Sequence, residues 1–144
     1  MFKKIAVAYN GSPEAGRALA QAIDLAPALG AELHAITVLE ELPPYATFAA
    51  AADSTLAVKL IDDSQDRCAL LHSEARQGAL RKGIELETHL LEGDPSQCIV
   101  RFLLDTKTDL VVLGLHRNTS HISRLWSTVY EVALDAPCSV LGGH

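Results

Sequence analysis

Several features are scarce in this chain of 144 residues, and each scarcity narrows the field. There are only three cysteines, Cys68, Cys98 and Cys138, widely spaced and without a CxxC, so neither a cysteine-based zinc site nor a dithiol redox motif is indicated. All three sit among apolar neighbours and are expected to be buried structural thiols. Positive charge is also short. Twelve Lys and Arg against 18 Asp and Glu give a net charge of −6, the opposite of the basic face a nucleic-acid binder presents. No apolar run approaches the ~20 residues that span a bilayer. Met1-Phe2-Lys3-Lys4-Ile5 runs straight into a strand-like segment with no apolar signal region before it, so no membrane partner and a cytoplasmic location are expected. No repeat or linker divides the chain, so residues 1–144 are read as one domain.

Hydrophobic residues make up 49% of the chain, enough for a full core in a domain of this size. Ile5-Ala6-Val7-Ala8 is a short apolar run that reads as a strand buried on both faces. After Asn10-Gly11, Ser12-Pro13-Glu14 is a helix start: Ser as N-cap, Pro in the first turn, an acid beside the helix dipole. Ala15, Ala18, Leu19, Ala22, Ile23 and Ala26 follow at helical spacing, Pro27 tightens or kinks the last turn, and Gly30 lies just past the end. Leu33 to Leu39 reads as a second strand. Ser54 to Lys82 forms a long helix with Ala57, Leu60, Ile61, Cys68, Leu71 and Ala75 on its stripe, stopped at Gly83.

Ile84 to Leu90 alternates apolar residues with Glu85, Glu87 and His89, a strand with one wetter face and hence near a sheet edge. Gly93-Asp94-Pro95 opens a helix whose apolar face is Cys98, Ile99, Phe102 and Leu103. Asp109 to Leu113 is another fully apolar strand, ending at Gly114. A polar loop, a helix carrying Trp126, Val129, Val132, Ala133 and Ala136, and a short strand Ser139–Leu141 complete the chain. Strands alternating with helices specify a parallel sheet with right-handed crossovers and helices on both faces. The two most apolar strands, at Ile5 and Leu110, are expected to be central neighbours. Strand order then reverses between them, and a ligand crevice belongs at their carboxyl ends, built from Tyr9-Asn10-Gly11-Ser12 and the loop from Gly114 to Thr128.

At these residues the chain resembles the universal stress protein family. The carrying segments are Ile5-Ala6-Val7-Ala8-Tyr9-Asn10-Gly11-Ser12, Leu33-His34-Ala35-Ile36-Thr37-Val38, Asp109-Leu110-Val111-Val112-Leu113-Gly114 and Ala136-Pro137-Cys138-Ser139-Val140-Leu141. The resemblance implies a Rossmann-like, adenine-nucleotide alpha-hydrolase-like α/β domain: an open parallel five-stranded sheet of order 3-2-1-4-5. It also implies a stress-linked regulatory role and a homodimer. Many members bind ATP through a loop of the form G-x-x-G, nine residues, then G-S or G-T. Here Gly114 and Thr128 keep the first and last positions, while Arg117 and Ser127 replace two glycines, and Asn10 stands where an acid is usual. Similar losses mark a branch of the family that does not bind ATP.

The resemblance therefore leaves two readings. In one, ATP or another adenine nucleotide, with no metal beyond its associated Mg, binds at Tyr9, Asn10, Gly11, Ser12, Val38, Gly114, His116, Arg117, Ser127 and Thr128. In the other, the chain is a homodimeric interaction module, joined through Ser139, Val140 and Leu141, with a further protein partner unnamed. Arg117 is central, because its guanidinium either blocks the phosphate approach or replaces lost backbone donors with a charged fork. His116 and His121 lack a third ligand for a metal site, and Arg124 and Trp126 read as surface and core residues. Ser12 has no nucleophile elbow or placed base, so robust turnover is not expected. A response-regulator receiver domain needs an acidic cluster after the first strand, which Asn10-Gly11 does not supply. The Ser-Gly-Gly loop of nucleotide-using ligases is also missing.

Overall fold

The computed structural model describes residues 1–39, 52, 54–115 and 128–144. Strands β1 (Lys4–Ala8), β2 (Glu32–Leu39), β3 (Leu86–Glu92), β4 (Leu110–Gly114) and β5 (Ser139–Gly143) form one sheet of order β3-β2-β1-β4-β5. Every adjacent pair is parallel. Helices α1 (Pro13–Leu29), α2 (Ser54–Arg81), α3 (Pro95–Asp105) and α4 (Thr128–Asp135) make the crossovers. The expected architecture and strand order are those observed.

A central parallel strand must be apolar on both faces, and β1 is: Ile5, Ala6 and Val7 have no exposed surface. Its alternate side chains feed two separate cores. Ile5 and Val7 join Ala18, Leu19, Ala22, Ile23 and Ala26 of α1 and Ala75 and Ala79 of α2 on one face. Ala6 joins Ile36, Val111, Leu113, Ile99 and Leu103 of α3 and Val132 of α4 on the other. Full burial of a residue such as Ile5 or Leu103 stabilises the fold by about 1.5–3 kcal/mol.

Local signals set the helix ends. Ser12 caps α1, its Oγ accepting the Ala15 N–H at 3.3 Å, with Pro13 in the first turn. Asp94 caps α3 in the same way, accepting from Gln97 N–H at 3.1 Å, ahead of Pro95. Pro27 lies inside α1, and the helix runs past it to Leu29 before Gly30 closes it in the left-handed conformation at φ 64°.

Four sequence expectations change. Cys68 is buried, but Cys98 and Cys138 are only half-buried: Cys138 lies at the margin of the second core, and the Cys98 thiol donates to the Glu92 carbonyl at 3.3 Å. Ala133 is exposed: only Val132, with half-buried Val129, faces the sheet from the described part of α4. Leu71 is half-buried, and the stripe of α2 continues instead through His72 to Ala79. The last strand extends beyond Leu141 to Gly143, because Gly142 and Gly143 pair with Leu113 and Gly114. Among the described residues no helix is long and apolar enough to cross a membrane.

Candidate functional site

From β1 the chain winds outward through β2 to β3. From β4 it winds the other way to β5, so the switch point lies between β1 and β4. Val7 pairs with Val112, which carries Tyr9 and Gly114, each two residues further on, to one rim at the carboxyl ends. Gly114 is where α1 docks. A Cβ on Gly114 would meet the backbone carbonyl of Glu14 and, at 2.8 Å, the backbone nitrogen of Ala15. Only a glycine lets the first turn of α1 lie directly on the end of β4. Gly11 supplies the other requirement, a positive φ of 82° that swings the chain from β1 into the helix.

The segment between β1 and α1 is fixed at both ends. Tyr9 donates its N–H to the Ile36 carbonyl at 2.8 Å, and its ring packs against the first core. Burial, then the charge of Glu74, raises its hydroxyl above the usual tyrosine range. The Tyr9 carbonyl accepts the Thr37 hydroxyl at 2.6 Å, and His72 Nε2 lies 2.8 Å from the same hydroxyl oxygen. A carbonyl can only accept, so Thr37 spends its proton on Tyr9 and must accept from His72. The His72 tautomer is therefore the one with hydrogen on Nε2. Burial first, then the charges of Arg76 and His89, holds His72 below the usual imidazole range, keeping it neutral. This chain from α2 through β2 to the rim was not foreseen in the sequence. Its trace there was a threonine in an apolar strand and a histidine between Cys68 and Ala75 on a helix stripe.

Asn10 behaves differently from expectation. It stands in the place of an acid, yet its side-chain oxygen does not face a ligand: it accepts from Ser12 N–H at 3.0 Å and from Ser12 Oγ at 2.6 Å. Both lone pairs are thereby used, which leaves the amide N–H groups as what Asn10 offers a ligand. Ser12 in turn is a cap and not a nucleophile: its hydroxyl donates to an amide oxygen, which is no base. Val38 is half-buried beside the second core, and Thr128 stands exposed at the start of α4. His116, Arg117 and Ser127, with Trp126, His121 and Arg124, lie outside the described residues. The structure thus brings together Tyr9, Asn10, Gly11, Ser12 and Gly114. A shallow depression bounded by Ser96, Gln97, Val100, Arg101, Leu104 and Asp135 shares no residue with this rim.

Fold and rim together define a doubly wound α/β domain with its topological switch point between β1 and β4 and a capped helix N-terminus at the carboxyl ends of those strands. The chain belongs to the universal stress protein family, whose sequence model matches residues 1–141. It is 32% identical over 143 residues to a universal stress protein of Thermus aquaticus encoded 3′ of a QAH/OAS sulfhydrylase, covering 98% of each chain. Among solved structures, the universal stress protein UspA from Lactobacillus plantarum superposes with a TM-score of 0.81 at 25% identity, covering 99% of this chain and 98% of that one. A universal stress protein in complex with cAMP superposes with a TM-score of 0.68 at 23% identity, covering 99% and 97%. One from Archaeoglobus fulgidus in complex with dAMP gives 0.73 at 21%, covering 99% and 98%.

Proposed function

We infer that this chain is a stress-response regulator that binds an adenine nucleotide in the β1/β4 crevice and signals through the bound state without robust turnover. The observation that carries this reading is the seating of α1. Gly114 and Gly11 bring its first turn onto the rim, where the positive end of the helix favours phosphate. The cAMP and dAMP complexes of two proteins of the same fold support the choice of an adenine ligand. In this reading the phosphates lie near Gly114, Arg117, Ser127 and Thr128, with any Mg2+ carried in by the nucleotide, and the base lies towards Asn10 and Val38.

Calorimetric titration of ATP, AMP and cAMP into the parent, Arg117→Ala and Arg117→Gly tests it. If the guanidinium grips phosphate, Arg117→Ala weakens binding by about 1.5–3 kcal/mol, the scale of a charged hydrogen bond. If it obstructs the loop, Arg117→Gly strengthens binding. No heat with any ligand in any of the three proteins rejects the reading. Steady multiple-turnover ATP hydrolysis, abolished by a crevice substitution, rejects the absence of turnover.

A second reading, a ligand-free homodimeric interaction module, is favoured by Asn10, whose acceptor is already committed to Ser12. It draws also on β5, an edge strand whose Ser139, Val140 and Leu141 are all exposed. An exposed apolar edge is a liability unless a second copy pairs with it about a two-fold axis. A monomer at micromolar concentration by light scattering rejects the dimer.

A further inference from the structure

A second cluster of chemistry-bearing side chains stands along the pairing of β2 with β3, on the face covered by α3. The parallel register pairs His34 of β2 with Glu87 of β3, and Ile36 with His89. Residues two apart on a strand share a face. His34, Glu87 and His89 therefore project together, and Glu32, two residues before His34, projects with them. His34 Nδ1 lies 3.0 Å from His89 Nε2 and 3.0 Å from Glu87 Oε2, and the last two atoms are 3.8 Å apart. Among the described residues this is the group of ligand-type side chains whose donor atoms converge in this way. Glu32 Oε2 approaches the opposite nitrogen of His34, Nε2, at 3.4 Å. The Phe102 ring closes one side, 4.8 Å from the His89 ring.

We propose that His34 Nδ1, His89 Nε2 and Glu87 Oε2 form a binding site for one divalent transition-metal ion of the zinc class, with Glu32 orienting His34 and a fourth position left for water. The geometry fits. A triangle with these sides has its equidistant point about 1.9 Å from each corner, so an ion slightly out of the plane reaches all three at about 2.0–2.1 Å, the length of zinc–nitrogen and zinc–oxygen bonds. Two imidazoles and a carboxylate are a ligand set that zinc uses in sites with an open position.

Proton placement points the same way. A hydrogen bond from His34 Nε2 to Glu32 puts the His34 proton on Nε2 and leaves the Nδ1 lone pair facing the Glu87 carboxylate. A proton serves one edge of the triangle well, whereas a dication at its centre meets three lone pairs at once. The carboxylate behind the ligating histidine is the partner that fixes tautomer and ring orientation in metal sites. Charge also balances, two carboxylates against a dication. The site joins β2 to edge strand β3, so an ion there staples the edge of the sheet.

The test uses the untagged full chain, stripped of metal and free of nucleotide, with Zn2+ titrated against a chromophoric chelator and Co2+ as a spectroscopic substitute. The expected result is one Zn2+ per chain, a Co2+ absorption spectrum of low coordination number, and a thermal midpoint raised by the metal. Glu32→Gln should weaken binding about ten- to hundredfold, the usual cost of losing such a carboxylate behind a ligand. Glu87→Gln and His89→Gln should weaken it further. Glu87 is 65% exposed, so its replacement leaves the fold intact, which circular dichroism in chelator verifies. A His116→Ala/His121→Ala variant should bind as the parent does. Stoichiometric binding that survives Glu87→Gln together with His89→Gln, that is lost with His116 and His121, or that is absent from the parent, overturns the proposal.

Discussion

The rim at the carboxyl ends of β1 and β4 and the seam between β2 and β3 present chemistry of different kinds. At the carboxyl ends, two short stretches of chain, Tyr9 to Ser12 and the segment from Gly114, meet at a topological switch point, and backbone groups dominate. Along the β2–β3 seam, side chains dominate. His34 and His89 are 55 residues apart in the chain and meet only because β2 and β3 pair in one register. Backbone-built sites leave contiguous motifs, since glycines and caps must fall in order within a single turn. Register-built sites leave only an ExH pattern on each of two strands, Glu32-Leu33-His34 and Glu87-Thr88-His89, with nothing local to connect them. If that contrast holds, substitutions at the rim act through backbone fit, and those away from it through charge.

The largest effect is expected at Gly114. Its replacement by Ala drives a Cβ into the backbone of Glu14 and Ala15, atoms that cannot rotate away. Gly114→Ala should cost about 3 kcal/mol, the upper range for overpacking, seen as a lowered urea midpoint. It should also weaken any crevice ligand, because α1 must lift. A loss below about 1 kcal/mol would mean that α1 is not fixed to β4 as described.

Next in size is the chain from His72 through Thr37 to the Tyr9 carbonyl. Thr37→Val removes an acceptor and a donor at once in a buried place, with an expected loss of about 2 kcal/mol. The pH dependence follows from His72. Its folded pKa lies below the unfolded value, so the unfolded chain binds more protons between the two. This contribution is complete above the unfolded pKa of about 6.5 and shrinks as pH falls below it towards the folded value. Urea midpoints measured across that window should fall for the parent and flatten for His72→Gln, which keeps a donor for Thr37.

Much of this fold could be read from residues alone. The apolar runs at Ile5 and Leu110 identified the central strands, and Ser12-Pro13 and Asp94-Pro95 marked two helix starts. The rim was legible for the same reason: Gly11 and Gly114 do backbone work that no other residue does there. What escaped depended on distant partners. Asn10's acceptor is consumed by Ser12 in a turn whose geometry the sequence does not dictate, and Thr37 meets His72 only through the packing of α2 on β2. The histidine and glutamate cluster needed the pairing of β2 with β3, which alternation along β3 suggested only as a wet face.

Away from the rim charge should govern, and Asp109, at the start of β4, is the place to look. Its Oδ2 accepts the N–H groups of Lys3 at 2.8 Å and Lys4 at 2.9 Å, tying the start of β1 to the start of β4. These bonds, first that from Lys3, hold its carboxyl below the usual range. The stability Asp109 contributes is then complete above the unfolded carboxylate pKa of about 3.9 and is lost as pH falls through the folded value. Asp109→Asn should be less stable than the parent at neutral pH, with the gap closing in acid. A gap that stays constant across that range would remove charge as the cause.

The smallest expected effect is the strictest control on the carboxyl-end account. Gly16 lies in the first turns of α1, close in sequence to the crevice rim, yet a Cβ there would meet nothing within 4 Å. Its N–H donates to the Ser12 carbonyl at 2.9 Å in ordinary helical fashion, a bond that alanine retains. Gly16→Ala should therefore stabilise the protein by about 0.5–1 kcal/mol, the difference between the two residues in a helix interior. It should leave ligand affinity at the rim as it is in the parent. Gly16 and Gly114 thus separate a glycine that merely sits in a helix from one that lets two backbones touch. If Gly16→Ala instead destabilised the chain or altered the crevice, the start of α1 would be held by something other than its cap and its seat on Gly114.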